Sequence, residues 1–151
     1  MSEMEKILVI DDDESIRKTL AMVLEREGYQ VDTAQNGTVA IEKSQGNFYN
    51  LALIDIRLPD MEGTRLLTEL QETTPRMVKI LLTGNPTVDN AITAVNKNAD
   101  AYLTKPVNLD QLLQTVREQL RRQQEERKYS EGKVAEFFET RFKEMDSTEE
   151  W

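Results

Sequence analysis

Five side chains stand out for the chemistry they could do together: Asp11, Asp12, Asp55, Thr83 and Lys105. Each stands at or just past the end of a short apolar run. Ile7-Leu8-Val9-Ile10 precedes Asp11-Asp12, Leu51-Ala52-Leu53-Ile54 precedes Asp55, Ile80-Leu81-Leu82 precedes Thr83, and Ala101-Tyr102-Leu103 leads through Thr104 to Lys105-Pro106. Taken singly, each has an ordinary reading. An Asp after a strand can cap the next helix or sit solvated at the strand end, Asp13 reads as such a cap, and Lys-Pro marks a turn. Joint occurrence at four strand ends is harder to assign to four separate causes. Three carboxylates brought close repel one another unless a proton or a cation intervenes. A hard, oxygen-rich site of that kind suits Mg²⁺. With a lysine to spread charge and a hydroxyl to hold an oxygen, a carboxylate can receive a phosphoryl group.

Absences narrow the chemistry further. The chain has no cysteine and no histidine, which excludes thiolate chemistry, Ser-His-Asp catalysis, His-ligated metals and a phosphohistidine within this chain. A net charge of −9 argues against sequence-independent binding to nucleic acid, which needs a dense basic surface. No stretch approaches the ~18 consecutive apolar residues of a membrane helix. The start, MSEMEKILVIDDD, does not read as a signal peptide, so a cytoplasmic protein is expected.

The apolar runs must be strands that aim these residues. Lys6–Ile10, Gln30–Ala34, Leu51–Ile54, Met77–Leu82 and Ala101–Leu103 are predicted strands, the central ones unbroken enough to be buried on both faces. Between them lie helical spacings: Ile16, Leu20, Val23 and Leu24, closed by Gly28; a short helix from Gly37 to Ser44; and Leu66, Leu67 and Leu70, stopped before Pro75. A fourth helix carries Val88, Ala91, Ile92 and Val95, and a fifth, from about Asn108, carries Leu109, Leu112, Leu113, Val116 and Leu120. Alternating strands and helices imply an α/β fold with a doubly wound parallel sheet. In the strand order 2-1-3-4-5, the four strand ends with chemistry become neighbours on one sheet edge.

The segments ILVIDDDES, LIDIRLPDMEG, ILLTG and AYLTKP together resemble the four signature segments of the receiver domain of two-component response regulators. The resemblance covers about residues 4–122. It implies a flavodoxin-like fold in which Asp55 is the phospho-acceptor, and in which Asp11, Asp12 and Asp55 hold Mg²⁺ with the backbone carbonyl of Arg57. It also implies that Thr83 and Lys105 contact phosphoryl oxygens, that Lys105-Pro106 is a cis peptide, and that Tyr102 is the switch aromatic that turns inward when Thr83 moves. Arg57, Gly84 and Asn85 would modulate the site. The phosphoryl donor would be a sensor histidine kinase or phosphotransfer protein. Output would pass through the face of the fourth helix, fifth strand and fifth helix to a downstream protein, with no DNA binding and no membrane expected.

On this reading residues 1–122 form the receiver and 123–151 a helical C-terminal extension. Arg121 to Lys128 has no apolar residue and suits a solvated helix, which Gly132 is expected to break. An apolar stripe then resumes at Val134, Phe137, Phe138, Phe142 and Met145. It could fold back on the receiver, meet a partner, or pair with a second copy; the favoured expectation is a homodimer through the extension. Two other functions fit part of this pattern: a scaffold or connector whose C-terminal helix does the binding, and a Mg²⁺-dependent aspartyl-phosphate phosphatase. The phosphatase needs a second Asp two residues after the nucleophile, where this chain has Arg57. The protein is expected to be a switch and not a metabolic enzyme.

Overall fold

The computed structural model describes residues 4–84 and 99–149, with side chains described as far as residue 141. In chain order its elements are β1 (Lys6–Ile10), α1 (Glu14–Arg26), β2 (Gln30–Ala34), α2 (Gly37–Gly46), β3 (Leu51–Asp55), α3 (Gly63–Glu69), β4 (Val78–Thr83), β5 (Ala101–Thr104) and α4 (Leu109–Glu149). The helix expected around Val88–Val95 lies outside the described residues, as does Asn85. The five strands form one parallel sheet in the order β2-β1-β3-β4-β5.

Side chains alternate across a pleated strand, so each strand feeds two cores. Leu8, Ile10, Ala52, Ile54 and Leu81 point to the side covered by α2 and α3, where Ala40, Leu66, Leu67 and Leu70 meet them. Ile7, Val9, Leu51, Leu53, Ile80 and Leu82 point to the other side, against Leu20 and Leu24 of α1 and Leu112, Val116 and Leu120 of α4. That two-sided burial is why β3 reads as an unbroken apolar run up to Asp55. The helix boundaries follow local chemistry. Asp13 and Asn36 cap α1 and α2 by accepting from the N–H groups of Ile16 and Val39. After α1, Gly28 takes φ +97°, a conformation that only glycine adopts freely.

One expectation for the C-terminal helix changes. Gly132 does not break it: α4 runs unbroken from Leu109 to Glu149. One glycine in a helix costs about 1 kcal/mol relative to alanine, which good helix formers on either side offset. Near the start of the extension, one side chain ties this helix to the sheet. Gln123 is buried, and its side-chain amide donates to the carbonyls of Asn50 (2.9 Å) and Arg76 (2.8 Å) while accepting from Asn50 Nδ2 (3.2 Å). Since Asn50 precedes β3 and Arg76 lies just before β4, this one amide pins α4 across the strand starts, at the sheet edge opposite the strand ends with chemistry. Gln123→Ala would take this partner from the Arg76 carbonyl and the Asn50 side-chain amide, while the Asn50 carbonyl keeps the Val78 N–H (2.9 Å). A loss of about 2 kcal/mol in denaturant unfolding is expected, and a change below ~0.5 kcal/mol would show that the tie holds nothing.

Candidate functional site

The parallel ladders extend one residue past three strand ends and so fix the site. Asp11 N–H donates to Ala34 O (3.1 Å), Ile56 N–H to Leu82 O (3.1 Å) and Lys105 N–H to Thr83 O (2.7 Å). These bonds set Asp11, Asp55, Thr83 and Lys105 side by side along the carboxyl edge of β1, β3, β4 and β5. Carboxylate oxygens of Asp11, Asp12 and Asp55 all lie within 4.8 Å of one another. Asp11 is fully buried, Asp55 nearly so, and Asp12 faces solvent.

Lys105 spans the buried pair, its ammonium 2.9 Å from Asp11 Oδ2 and 3.1 Å from Asp55 Oδ2. Asp11 Oδ1 also accepts from the Asp13 N–H (2.9 Å), and Asp55 Oδ1 from the Arg57 N–H (3.2 Å). One ammonium thus serves two buried carboxylates, and the electrostatics follow. Burial pushes the Asp55 carboxyl above the ordinary aspartate range, with the Asp11 charge adding to it, against the opposing pull of the Arg57 N–H and Lys105. Burial works the other way on Lys105, but its hydrogen bonds to Asp11 and Asp55 and their charges outweigh it and raise it above an ordinary lysine. Lys105 therefore stays a cation, while Asp55 carries a charge its surroundings only partly compensate. A cation among three oxygens answers that deficit, so the donor set fits Mg²⁺.

Of the other residues expected here, Thr83 is buried at the end of β4, and Gly84 after it is exposed. Lys105-Pro106 is cis, as the resemblance implies. Tyr102 pairs in register with Leu81, two residues before the Thr83–Thr104 pair, so it shares a sheet face with Thr83. Tyr102 is 45% exposed.

The model of the response regulator receiver domain matches residues 7–117, most of the chain. The chain belongs to that family. A receiver domain protein of Methanospirillum hungatei has a solved structure that is 42% identical, with a TM-score of 0.77, covering 82% of this chain and 99% of that one. A response regulator of Burkholderia pseudomallei, solved with a phosphorylated aspartic acid, calcium ion and citrate, is 35% identical with a TM-score of 0.65, covering 72% of this chain and 64% of that one. Among curated relatives, the uncharacterized transcriptional regulatory protein YkoG of Bacillus subtilis is 36% identical over 115 residues, 76% of this chain and 50% of its own length. The receiver chain thus spans about half the length of that relative.

Three receiver residues bear on the site in ways that their positions in the sequence do not show. Arg17, one turn into α1, donates to the Asp11 carbonyl at 2.7 Å and steadies the loop after β1. Asp60 reaches from the loop after β3 to the start of α2, accepting from the N–H groups of Gly37 and Thr38 (2.9 Å each) and the Thr38 hydroxyl (2.7 Å). The Thr38 hydroxyl, then the Gly37 N–H, hold its carboxyl down at about 2. Gly63 lies against the backbone of Asp55 itself. Arg17 lies six residues from its partner, a reach that helical spacing alone could have suggested. Asp60 and Thr38 are 22 residues apart, and nothing local links them.

Proposed function

We propose that this receiver takes a phosphoryl group onto Asp55 from the phosphohistidine of a sensor kinase or phosphotransfer protein and relays that event to protein partners. The observation that carries the reading is the shared ammonium, with Lys105 spanning Asp11 and Asp55 in a cluster of three carboxylates. A carboxylate oxygen of Asp55 attacks phosphorus and the phosphorus–nitrogen bond of the donor breaks, its electron pair leaving on the imidazole. Lys105 turns from Asp55 toward the incoming phosphoryl oxygens, and the Thr83 hydroxyl donates to one of them. Asp11, Asp12, Asp55 and the Arg57 carbonyl would hold Mg²⁺, which supplies neutralisation of the charge spread over the phosphoryl oxygens. The calcium ion and phosphorylated aspartic acid of the Burkholderia relative support this assignment.

Thr83 closing on the phosphoryl group vacates the space that admits Tyr102, so the face around β5 and α4 changes with phosphorylation. The protein acts as a cytoplasmic switch and not as a metabolic catalyst, with no DNA contact of its own in these residues. It forms a homodimer through the C-terminal helix. A connector role for that helix is a second reading, favoured by the exposure of Val134, Phe137 and Phe138 on it.

Metal binding tests the site without any phosphodonor. At a tenfold excess over its dissociation constant, Mg²⁺ stabilises the folded protein by about 1.4 kcal/mol, a rise of roughly 3–6 °C in Tm for a domain of this size. Asp12→Ala, exposed and outside the core, should fold normally and lose most of that rise. An equal rise in both proteins places the metal elsewhere.

A further inference from the structure

The apolar stripe of α4 lies on a particular side of the helix. Val134 follows Val116 by 18 residues, and Phe138 follows Leu120 by the same interval. At about 3.6 residues per turn that is five whole turns, so the later pair sits straight below the earlier one. Val116 and Leu120 are buried against the sheet, whereas Val134, Phe137 and Phe138 are 54–56% exposed. The helix face that packs on the receiver therefore continues past it, beyond the Gln123 tie, as an overhang beneath the domain. A cleft of about 590 Å³ occupies the corner, lined by Phe48 and Pro75 of the receiver and by Arg127 and Ser130 of α4.

Resting on the dimer reading above, we propose that two copies pair their overhangs antiparallel, each helix running back beneath the receiver of the other. Two observations select this arrangement. A parallel partner helix lying on the same face would have to continue upward through the receiver to reach its own. An antiparallel one carries its own receiver to the opposite end of the pair and does not meet this obstacle. Charge runs the same way. Residues 121–128 carry four basic and two acidic side chains, and residues 129–149 carry three basic and six acidic. Antiparallel pairing sets the net positive half of each overhang against the net negative half of the other, while parallel pairing sets like against like.

Centring the pair on residue 136 places Val134 across from Phe138 of the other copy in both directions. Residue 124 then lies 12 positions from the centre, so the two copies of it are separated by about 36 Å along the axis, and the two copies of residue 130 by about 18 Å. In a parallel pair both separations would be the width of a helix pair, about 10 Å between axes, and equal.

The native chain has no cysteine, so single labels can be placed directly on the full chain. Gln124→Cys and Ser130→Cys change exposed positions, and each protein is spin-labelled and measured by pulsed dipolar spectroscopy after sedimentation establishes its mass. A dimer whose distance shortens by about 18 Å from site 124 to site 130 is the expected result, and the difference cancels the length of the label. A dimer with short and equal distances at both sites overturns the antiparallel arrangement and leaves the dimer reading standing. A dimer with long distances that do not shorten places the contact on the receivers and overturns it too. A monomer at tens of micromolar for the unlabelled wild-type chain, which carries no substitution in the cleft, overturns both the arrangement and the dimer reading beneath it.

Discussion

Asp55→Asn is expected to abolish labelling by a small phosphodonor such as acetyl phosphate while leaving the fold intact. In the wild type the label should require Mg²⁺ and be released by hydroxylamine, as an acyl phosphate is. The variant keeps the volume and the hydrogen-bond acceptor for the Arg57 N–H but loses the nucleophilic carboxylate. Stability should not suffer, and the sign can be worked out. Burial raises the folded-state value of Asp55 above that of an unfolded aspartate. Ionised Asp55 therefore detracts from stability at neutral pH, and the deficit fades as pH falls through the raised folded value toward the unfolded one. Asparagine removes that deficit at every pH. The variant should melt at or above the wild type at pH 7, and its stability should depend less on pH in the acid range. Substantial hydroxylamine-labile label on the variant would move the acceptor to another carboxylate of the cluster.

Gly63→Ala should damage both the fold and the site. A Cβ there would stand 2.0 Å from the Asp55 carbonyl oxygen and 2.9 Å from Ile56 Cα, atoms of backbone that no side-chain rotation can clear. The start of α3 or the end of β3 must shift. Overpacking of this kind costs about 3 kcal/mol, or roughly 6–12 °C in Tm for a domain of this size. The shift falls on the residue that carries the acceptor, so the rate of phosphodonor labelling should fall with stability. Gly46→Ala is the matched comparison, because a Cβ at Gly46 meets nothing within 4 Å. Its melting temperature should equal or exceed that of the wild type. A Gly63→Ala protein within ~1 kcal/mol of wild type would mean that the loop after Asp55 relaxes freely.

The receiver half of this molecule was legible in the residues because its signals are local. An apolar run such as Leu51–Ile54 suits a strand buried on both faces, and the abrupt change to Asp55 marks the strand end. Pattern and composition thus determine the alternation of strands and helices, the sheet edge on which Asp11, Asp12, Asp55, Thr83 and Lys105 gather, and the chemistry open to a chain without histidine or cysteine. Boundaries of the strands moved by only one residue at an end, because apolar periodicity and the flanking glycines, prolines and acids set them.

Contacts between distant segments were decided by the tertiary structure. Only the folded sheet brings the Lys105 ammonium between Asp11 and Asp55, 94 and 50 residues away, and so gives one cation to two buried carboxylates. Asp60 reads as one more acid in a loop until the packing of α2 beside α3 carries Thr38 to it. Gln123 reads as a polar interruption of an apolar stripe, yet it is buried because its amide ties together the segments that lead into β3 and β4, donating to the carbonyls of Asn50 and Arg76. The continuity of α4 through Gly132 was likewise a matter of sums: a single glycine weakens a helix by less than its neighbours and its anchorage support it. Helical spacing places Val134 and Phe138 on one stripe with Val116 and Leu120. That this stripe hangs beneath the receiver, facing the space where another chain can lie, follows only from where the sheet ends.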